Sequence, residues 1–532
     1  MAIITKDTIV FNSEDFFNLL PNYGTSNTAN QKGKGLASMR SMNPFRFYGY
    51  ASPGYAPTDV ANVSGATDYL RNGVVNGIYA LIVSNGAKIH ELDISTTGSL
   101  NASPFSITAH GGHTTPVAND CVIYTAKVGG TSASRMFYSW SDNTDWDVGV
   151  NDLSRSTSFA TASHWDDDFM STAPATPLNT TTYAAGKGYP HPLIVGDDDI
   201  LYIGDRNFVH AYDGQNGADN DGKFFPAQMT LPNGYVVTSF AKLPDALVVF
   251  AYLENSTGSS YYYLGKSAAF FYGYSQLDPF KVVQLNDNIV TEAFNYKNTI
   301  GCFTSGRPKD PSITKTSQLL LWDGSKFEPA CAFIGSSPIR GGVDIVGDAI
   351  YWNSDGIVHS YGSPLIGAKA GMLKTAQGSG TTSGLLKTFN STYQFISSGT
   401  TTSGGLQYLG DNYYDQTSFS TGLAEPIFPM GYKGKVKLVK VRFAKASTGG
   451  RNILIQLKDR YTGSSDVIDN AENYTEVSGQ SGAVITRQVT PTGTPFIAFD
   501  ALKLVVAWSS GSAATDAPIL DSVEVFYELI KT

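Results

Sequence analysis

Charge is scarce in this chain. Asp, Glu, Lys and Arg make up 16% of its 532 residues, against roughly 25% in an average soluble domain. The net charge is −9, from 37 basic and 46 acidic side chains. That balance argues against a surface built to coat nucleic acid, which needs clustered Lys and Arg to displace counterions. Residues 425–532 hold 12 basic and 11 acidic side chains, so the acidic excess belongs to the part before them. A solvated acidic surface accounts for it.

Cysteine is nearly absent. Cys121, Cys302 and Cys331 form no CxxC pair, and three are too few and too odd to build a disulfide framework. Each lies in an apolar, strand-like run, which predicts buried free thiols. No run approaches 18 apolar residues, so no membrane-spanning helix is expected. Met1-Ala2-Ile3-Ile4-Thr5-Lys6 lacks the apolar core of a secretion signal, which leads us to expect folding in a reducing cytosol. Sustained helical periodicity is also missing. Residues 13–20, with Phe16, Phe17, Leu19 and Leu20 before Pro21, predict one short helix at most.

Recognisable catalytic motifs are lacking as well. There is no GxSxG elbow, no HExxH, no GxxxxGK[ST] loop and no GxGxxG following a strand. The expectation is a protein that is not an enzyme, with no catalytic, cofactor-binding or metal-binding residues and no cofactor.

What is present is glycine, aromatic residues and a repeat. Gly is 54 of 532, with 30 Tyr and 29 Phe. A turn-rich, aromatic-rich, charge-poor chain reads as many short strands joined by tight turns. Ile200-Leu201-Tyr202-Ile203-Gly204-Asp205-Arg206-Asn207-Phe208-Val209-His210-Ala211-Tyr212 aligns without a gap on Ala349-Ile350-Tyr351-Trp352-Asn353-Ser354-Asp355-Gly356-Ile357-Val358-His359-Ser360-Tyr361. A weaker copy runs from Ala80 through His90 to Asp93. Each copy reads as strand, turn, strand. The gaps between His90, His210 and His359 each fit about three to four units of roughly 40–50 residues, the size of a four-stranded propeller blade. Asn85-Gly86, Asp213-Gly214, Asp323-Gly324 and Asp355-Gly356 supply turn chemistry beside these strands.

The fold class expected is therefore all-β. Residues 1–65 read as an N-terminal arm and an anchored aromatic loop. Residues 66–424 read as a β-propeller of about seven blades, with six and eight left open. Pro426 and Pro429 then mark a boundary. Beyond it, Lys435-Val436-Lys437-Leu438-Val439-Lys440-Val441 alternates cleanly, which predicts strands with one wet and one buried face. Residues 425–532 thus read as a β-sandwich or jelly roll.

Each candidate for chemistry has a structural reading beside it. His90, His210 and His359 could converge on a central channel, but their apolar neighbours favour packed strand positions. His110 and His113 have no carboxylate at metal-ligand spacing. Asp166-Asp167-Asp168, Asp197-Asp198-Asp199 and Asp213 with Asp219-Asn220-Asp221-Gly222 could offer oxygens to calcium, but Asx turns explain all three. Ser139-Trp140-Ser141-Asp142-Asn143-Thr144-Asp145-Trp146 is similar to the Asp-box turn of sialidase-like propellers, with Asn143 at the glycine position and Trp146 one residue early. Trp140, Trp146 and Trp165 could form a sugar-stacking platform or could pack in the core.

Several stretches together resemble propeller-containing structural proteins of tailed bacteriophages. They are Gly35-Leu36-Ala37-Ser38-Met39-Arg40-Ser41-Met42-Asn43-Pro44-Phe45 with Ser52-Pro53-Gly54, the hairpin around Tyr138-Ser139-Trp140 and Thr144-Asp145-Trp146, and Pro190-His191-Pro192-Leu193 with Leu201-Tyr202-Ile203-Gly204. Leu319-Leu320-Leu321-Trp322-Asp323-Gly324 and Gly341-Gly342-Val343-Asp344 add to the likeness, which covers about three quarters of the chain. It implies a virion structural protein, such as a tail ring, hub or nozzle component. Other virion proteins and further copies of the chain in a ring are the implied partners, and assembly in the host cytoplasm the implied setting. No cofactor and no sequence-specific nucleic-acid contact follow from it. Two other functions stay open: a carbohydrate- or receptor-binding tail protein that meets a cell-surface glycan, and a glycan-cleaving enzyme. The last requires two carboxylates in one central cleft.

Overall fold

The computed structural model describes residues 6–12, 116–142, 144–151, 162–172, 189–216, 220–254, 267–274, 276–285, 289–305, 316–335, 337–338, 340–354, 357–363 and 519–531, and elsewhere the backbone of the strands named below. The short helix expected at 13–20 and the pair His110 and His113 lie outside the described residues.

The protein is all-β. Among the described residues only Ala162–His164 and Phe169–Thr172 are helical. Seven antiparallel sheets follow one another along the chain. The first holds Tyr69–Val75, Ile78–Asn85, Lys88–Asp93 and Ser99–Leu100, with Phe105–Ser106 also paired to its third strand. The second holds Val117–Val128, Thr131–Ser141, Trp146–Asn151 and Trp165–Asp166. The third holds Leu193–Val195, Leu201–Asp205, Phe208–Asp213 and Lys223–Thr230, and the fourth Tyr235–Leu243, Ala246–Leu253, Ser267–Gly273 and Lys281–Gln284. The fifth holds Ile289–Tyr296, Thr299–Ser305, Thr316–Trp322 and Phe327–Ile334, and the sixth Val343–Val346, Ala349–Ser354, Ile357–Gly362 and Gly371–Gln377. The seventh takes Leu386–Phe389, Tyr393–Ser397 and Leu406–Tyr413 from this part of the chain and Tyr55–Asp59 from far upstream. The opening strands of successive sheets touch, and the opening strand of the seventh touches that of the first.

Tight turns make these meanders. Gly129 and Gly130, at φ +59° and +77°, link Val128 to Thr131, a conformation open to glycine at little cost. Ser354 pairs with Ile357 where a later hairpin closes. The sequence repeat is a repeat of register: Val83 pairs with His90, Ile203 with His210 and Trp352 with His359.

The core lies between sheets rather than within one. Ala246–Leu253 is buried along seven of its eight positions. Leu247, Val249 and Ala251 pack toward the third sheet with Val209 and Met229, while Val248 and Phe250 pack toward the fifth with Ile300, Cys302 and Leu320. Period-two alternation here separates two buried faces, which is why the strand reads as a continuous apolar run. Phe303 and Phe333 meet Trp352 of the sixth sheet in the same manner.

Two further five-stranded sheets stand apart from this series. One joins Lys6–Phe11, Ile519–Lys531, Tyr432–Lys445 and Ile485–Val489, with Ala498–Phe499 beside the third. The other joins Leu36–Arg40, Gln416–Ala424, Leu502–Ser509, Asn452–Asp459 and Tyr474–Thr475. Residues 1–65 therefore supply one strand to each end sheet and one to the seventh sheet. Gln416–Ala424 pairs with Leu502–Ser509, so the chain enters the end sheets ahead of Pro426.

Candidate functional site

The opening strands of the second to sixth sheets surround a cavity of about 510 Å³. Its polar side chains are Asp120, Ser239, Glu292, Asn295, Arg340 and Asp344, with Phe240 and Phe294 among the apolar ones. Most of these groups knit neighbouring sheets. Asp120, buried, accepts from the Cys121 amide at 2.9 Å and from the Leu193 amide of the third sheet at 3.1 Å. Ser239 Oγ of the fourth sheet accepts from the Ala293 amide of the fifth at 2.9 Å. Glu292 accepts from the Gly341 amide, just before the sixth, at 3.4 Å.

Arg340 is a strut. It precedes the sixth sheet, donates through Nη1 to the Thr238 carbonyl of the fourth at 3.2 Å, and places Nε 3.7 Å from Asp120 Oδ2 of the second. Its side chain is 11% exposed and that of Asp120 1%, so the pair is shielded from water and costly to break on one side.

None of these four charged residues carries a sequence motif. A usable signal exists for two of them. Asp120 and Glu292 are acids inside apolar opening strands, where a charge is expensive unless a partner or a cavity receives it.

His210 and His359 are buried strand positions, and neither lines the cavity. His210 Nδ1 accepts from the Ala227 amide at 2.9 Å, which leaves Nε2 to donate to Asp205 at 3.4 Å. His359 stacks on Trp352 at 5.3 Å between ring centroids. The side chain of His90 lies outside the described residues. No group of three or more His, Cys, Asp or Glu among the described residues is placed to hold a metal ion.

The acidic runs form turns. Asp198 accepts from the Tyr202 hydroxyl at 2.7 Å, and Asp197 pairs with Lys242 Nζ at 2.6 Å. Asp213 accepts from the amides of Gln215 and Asn216, both at 3.0 Å, and Asp221 accepts from the Gly129 amide at 2.7 Å. Asp166 accepts from the Asp168 amide at 3.2 Å. In the Asp-box-like turn, Asp142 Oδ1 accepts from the amides of Thr144 and Asp145, both at 2.6 Å. Trp140, Trp146 and Trp165 are 0%, 1% and 4% exposed. They fill the core and present no ring face to a sugar.

Burial shifts several groups. It lowers His191 from 6.5 to about 4 and holds it neutral. It raises the Asp147 carboxyl well above its ordinary range. It pushes the Cys331 thiol up to about 12 and raises that of Cys302 further, so neither is a thiolate nucleophile at neutral pH.

A different surface stands out on the fourth sheet. Around its last strand, Leu277, Phe280 and Val282 are 64%, 61% and 46% exposed. Lys281 between them lies over the Trp322 ring at 4.4 Å.

The sequence matches no protein-family model, and no curated protein matches it. Several solved structures align with it weakly. Chaetomium thermophilum Raptor aligns over 68% of this chain and 29% of its own at 11% identity and a TM-score of 0.41, so this chain spans about a third of Raptor's length. The β-propeller domain of Myceliophteria thermophila Cps50 (Swd1) aligns over 66% of this chain and 98% of its own at 8% identity and a TM-score of 0.40. An exo-β-1,3-galactanase from Phanerochaete chrysosporium aligns over 89% and 99% at 12% identity and a TM-score of 0.32. At such values each is a likeness of architecture only.

Proposed function

We propose that this chain is a virion structural protein of a tailed bacteriophage, a tail ring, hub or nozzle component that acts by protein–protein contact. In this reading the seven sheets are seven blades of a propeller, closed by Tyr55–Asp59, and the two end sheets form a β-sandwich. The observation that carries the reading is the apolar edge at Leu277, Phe280 and Val282. Large apolar side chains left exposed together at a sheet edge mark a contact surface. The scarcity of Lys and Glu agrees with this, since both are depleted where permanent interfaces form. The resemblance of the sequence to phage tail propellers supplies the class of partner.

The test is the mass of the purified chain by light scattering after size exclusion. A defined species several times 57.0 kDa that Phe280→Asp dissociates supports the reading. A monomer that stays monomeric with its virion partners present overturns it.

A second reading has one observation behind it: Asp120, Glu292 and Asp344 line one cavity. Carboxylates in a single cleft are the requirement for glycoside hydrolysis and a common element of sugar binding. Under this reading the protein engages a cell-surface glycan in the cavity. Glycan turnover or saturable binding that disappears in Glu292→Gln would establish it.

A further inference from the structure

The first 59 residues hold three separate strands, and each completes a sheet whose other strands come from distant parts of the chain. Lys6–Phe11 lies at the margin of one end sheet, paired with Ile519–Lys531. Leu36–Arg40 lies at the margin of the other, and Tyr55–Asp59 at the margin of the seventh sheet. All three are terminal in their sheets, so each can leave without disturbing another pair.

The first is strongly held. Ile9 pairs with Val525 and Phe11 with Val523. These four side chains are between 0% and 4% exposed, as is Tyr527 on the same face. The end sheet would bare an apolar face without this strand, so some copy of it must occupy the place. Its tether is long. The 24 residues between Phe11 and Leu36 reach at most about 80 Å when extended. The 14 residues between Arg40 and Tyr55 reach only about 50 Å.

We infer that Lys6–Phe11 is an exchangeable strand, which in the assembled ring is donated to the end sheet of a neighbouring copy. The inference rests on the ring assembly proposed above. The pairs are identical whether the strand comes from the same chain or from the next, so exchange costs little beyond the tether's entropy. In a ring the neighbour's arm is present at high effective concentration. The donated strand then locks each subunit to the next, and around a closed ring every place is filled.

The experiment uses full-length chains. Val10 and Glu524 face one another across the pair, and both are half-buried. Val10→Cys is made in one preparation and Glu524→Cys in another carrying a mass tag. The two are co-assembled and treated with a short bifunctional thiol reagent. Thr8→Cys with Phe526→Cys repeats the test at a second register position. Exchange predicts a cross-linked species of mixed mass, absent when either variant is treated alone. Light scattering on the same sample separates the outcomes. An assembled ring with no mixed cross-link, while a chain carrying both cysteines links only to itself, overturns exchange and leaves the ring standing. A sample that never assembles, with virion partners present as well, overturns both.

Discussion

The seam between the fourth and fifth sheets and the seam between the second and third solve one packing problem in two ways. The first is filled by Val248, Phe250, Phe271, Ile300, Cys302, Leu320 and their neighbours, and its polar ties, Ser239 to the Ala293 amide and Asn295 to the Lys242 backbone, use side chains that do not titrate. The second holds a comparable apolar cluster, but its polar ties include the titratable side chains of His191 and Tyr124. Ser139 Oγ donates to the His191 carbonyl at 2.6 Å, and His191 Nδ1 lies 3.0 Å from the Gly204 carbonyl. The His191 ring stacks on Trp146 at 3.9 Å and 11°. The Tyr124 hydroxyl donates to the Asp199 carbonyl at 2.7 Å and accepts from the Gly214 amide at 2.9 Å. An apolar seam is indifferent to pH and forgiving of register. A hydrogen-bonded seam fixes one register and inherits the titration of its members.

The apolar seam should give the largest response to a single truncation. Phe250→Ala is expected to cost about 3–5 kcal/mol, read as a lower urea midpoint with little change in slope. A loss below about 1 kcal/mol would mean that the seam collapses to fill the space. Acid should then separate the two seams. His191 has a folded value near 4 against 6.5 unfolded. Its contribution is complete above pH 6.5 and is lost as the pH falls toward 4, by about 3 kcal/mol. Asp147, raised by burial, acts in the opposite direction as the pH falls. The comparison that isolates the histidine is wild type against His191→Gln. The steep acid loss should vanish in the variant, and equal pH slopes would show that His191 does not govern the seam.

Smaller effects sharpen the picture. Tyr124→Phe removes the hydroxyl and strands the Gly214 amide, an expected loss of about 1–2 kcal/mol. An unchanged melting temperature would place a water in the hydroxyl's role. Gly347→Ala meets no atom within 4 Å but sits at φ +59°. The expected cost is about 1 kcal/mol, from backbone conformation alone, and a stabilised variant would contradict that geometry.

Local features of this fold were legible in the sequence. The repeat around His210 and His359 marks equivalent register positions, each paired across a hairpin with Ile203 or Trp352. Both depend on neighbours within a dozen residues. The marginal strands were not legible, because nothing local in Lys6–Phe11 or Tyr55–Asp59 names a partner hundreds of residues away. The cavity was equally hidden. Asp120 and Glu292 come from two different sheets and Arg340 from the segment before a third, and they meet only when the sheets are arrayed. The tryptophans of the Asp-box-like turn were visible as a cluster, but composition alone does not say which way a ring faces.

The pairing of Tyr55–Asp59 with Leu406–Tyr413 also sets a timetable. A ribosome adding roughly 5–20 residues per second takes about 20–70 s to travel from one to the other. Through that interval the early strand has emerged and its partner does not exist. The seventh sheet therefore completes late in synthesis, and a chain cut short before residue 413 holds an open array with two bare ends.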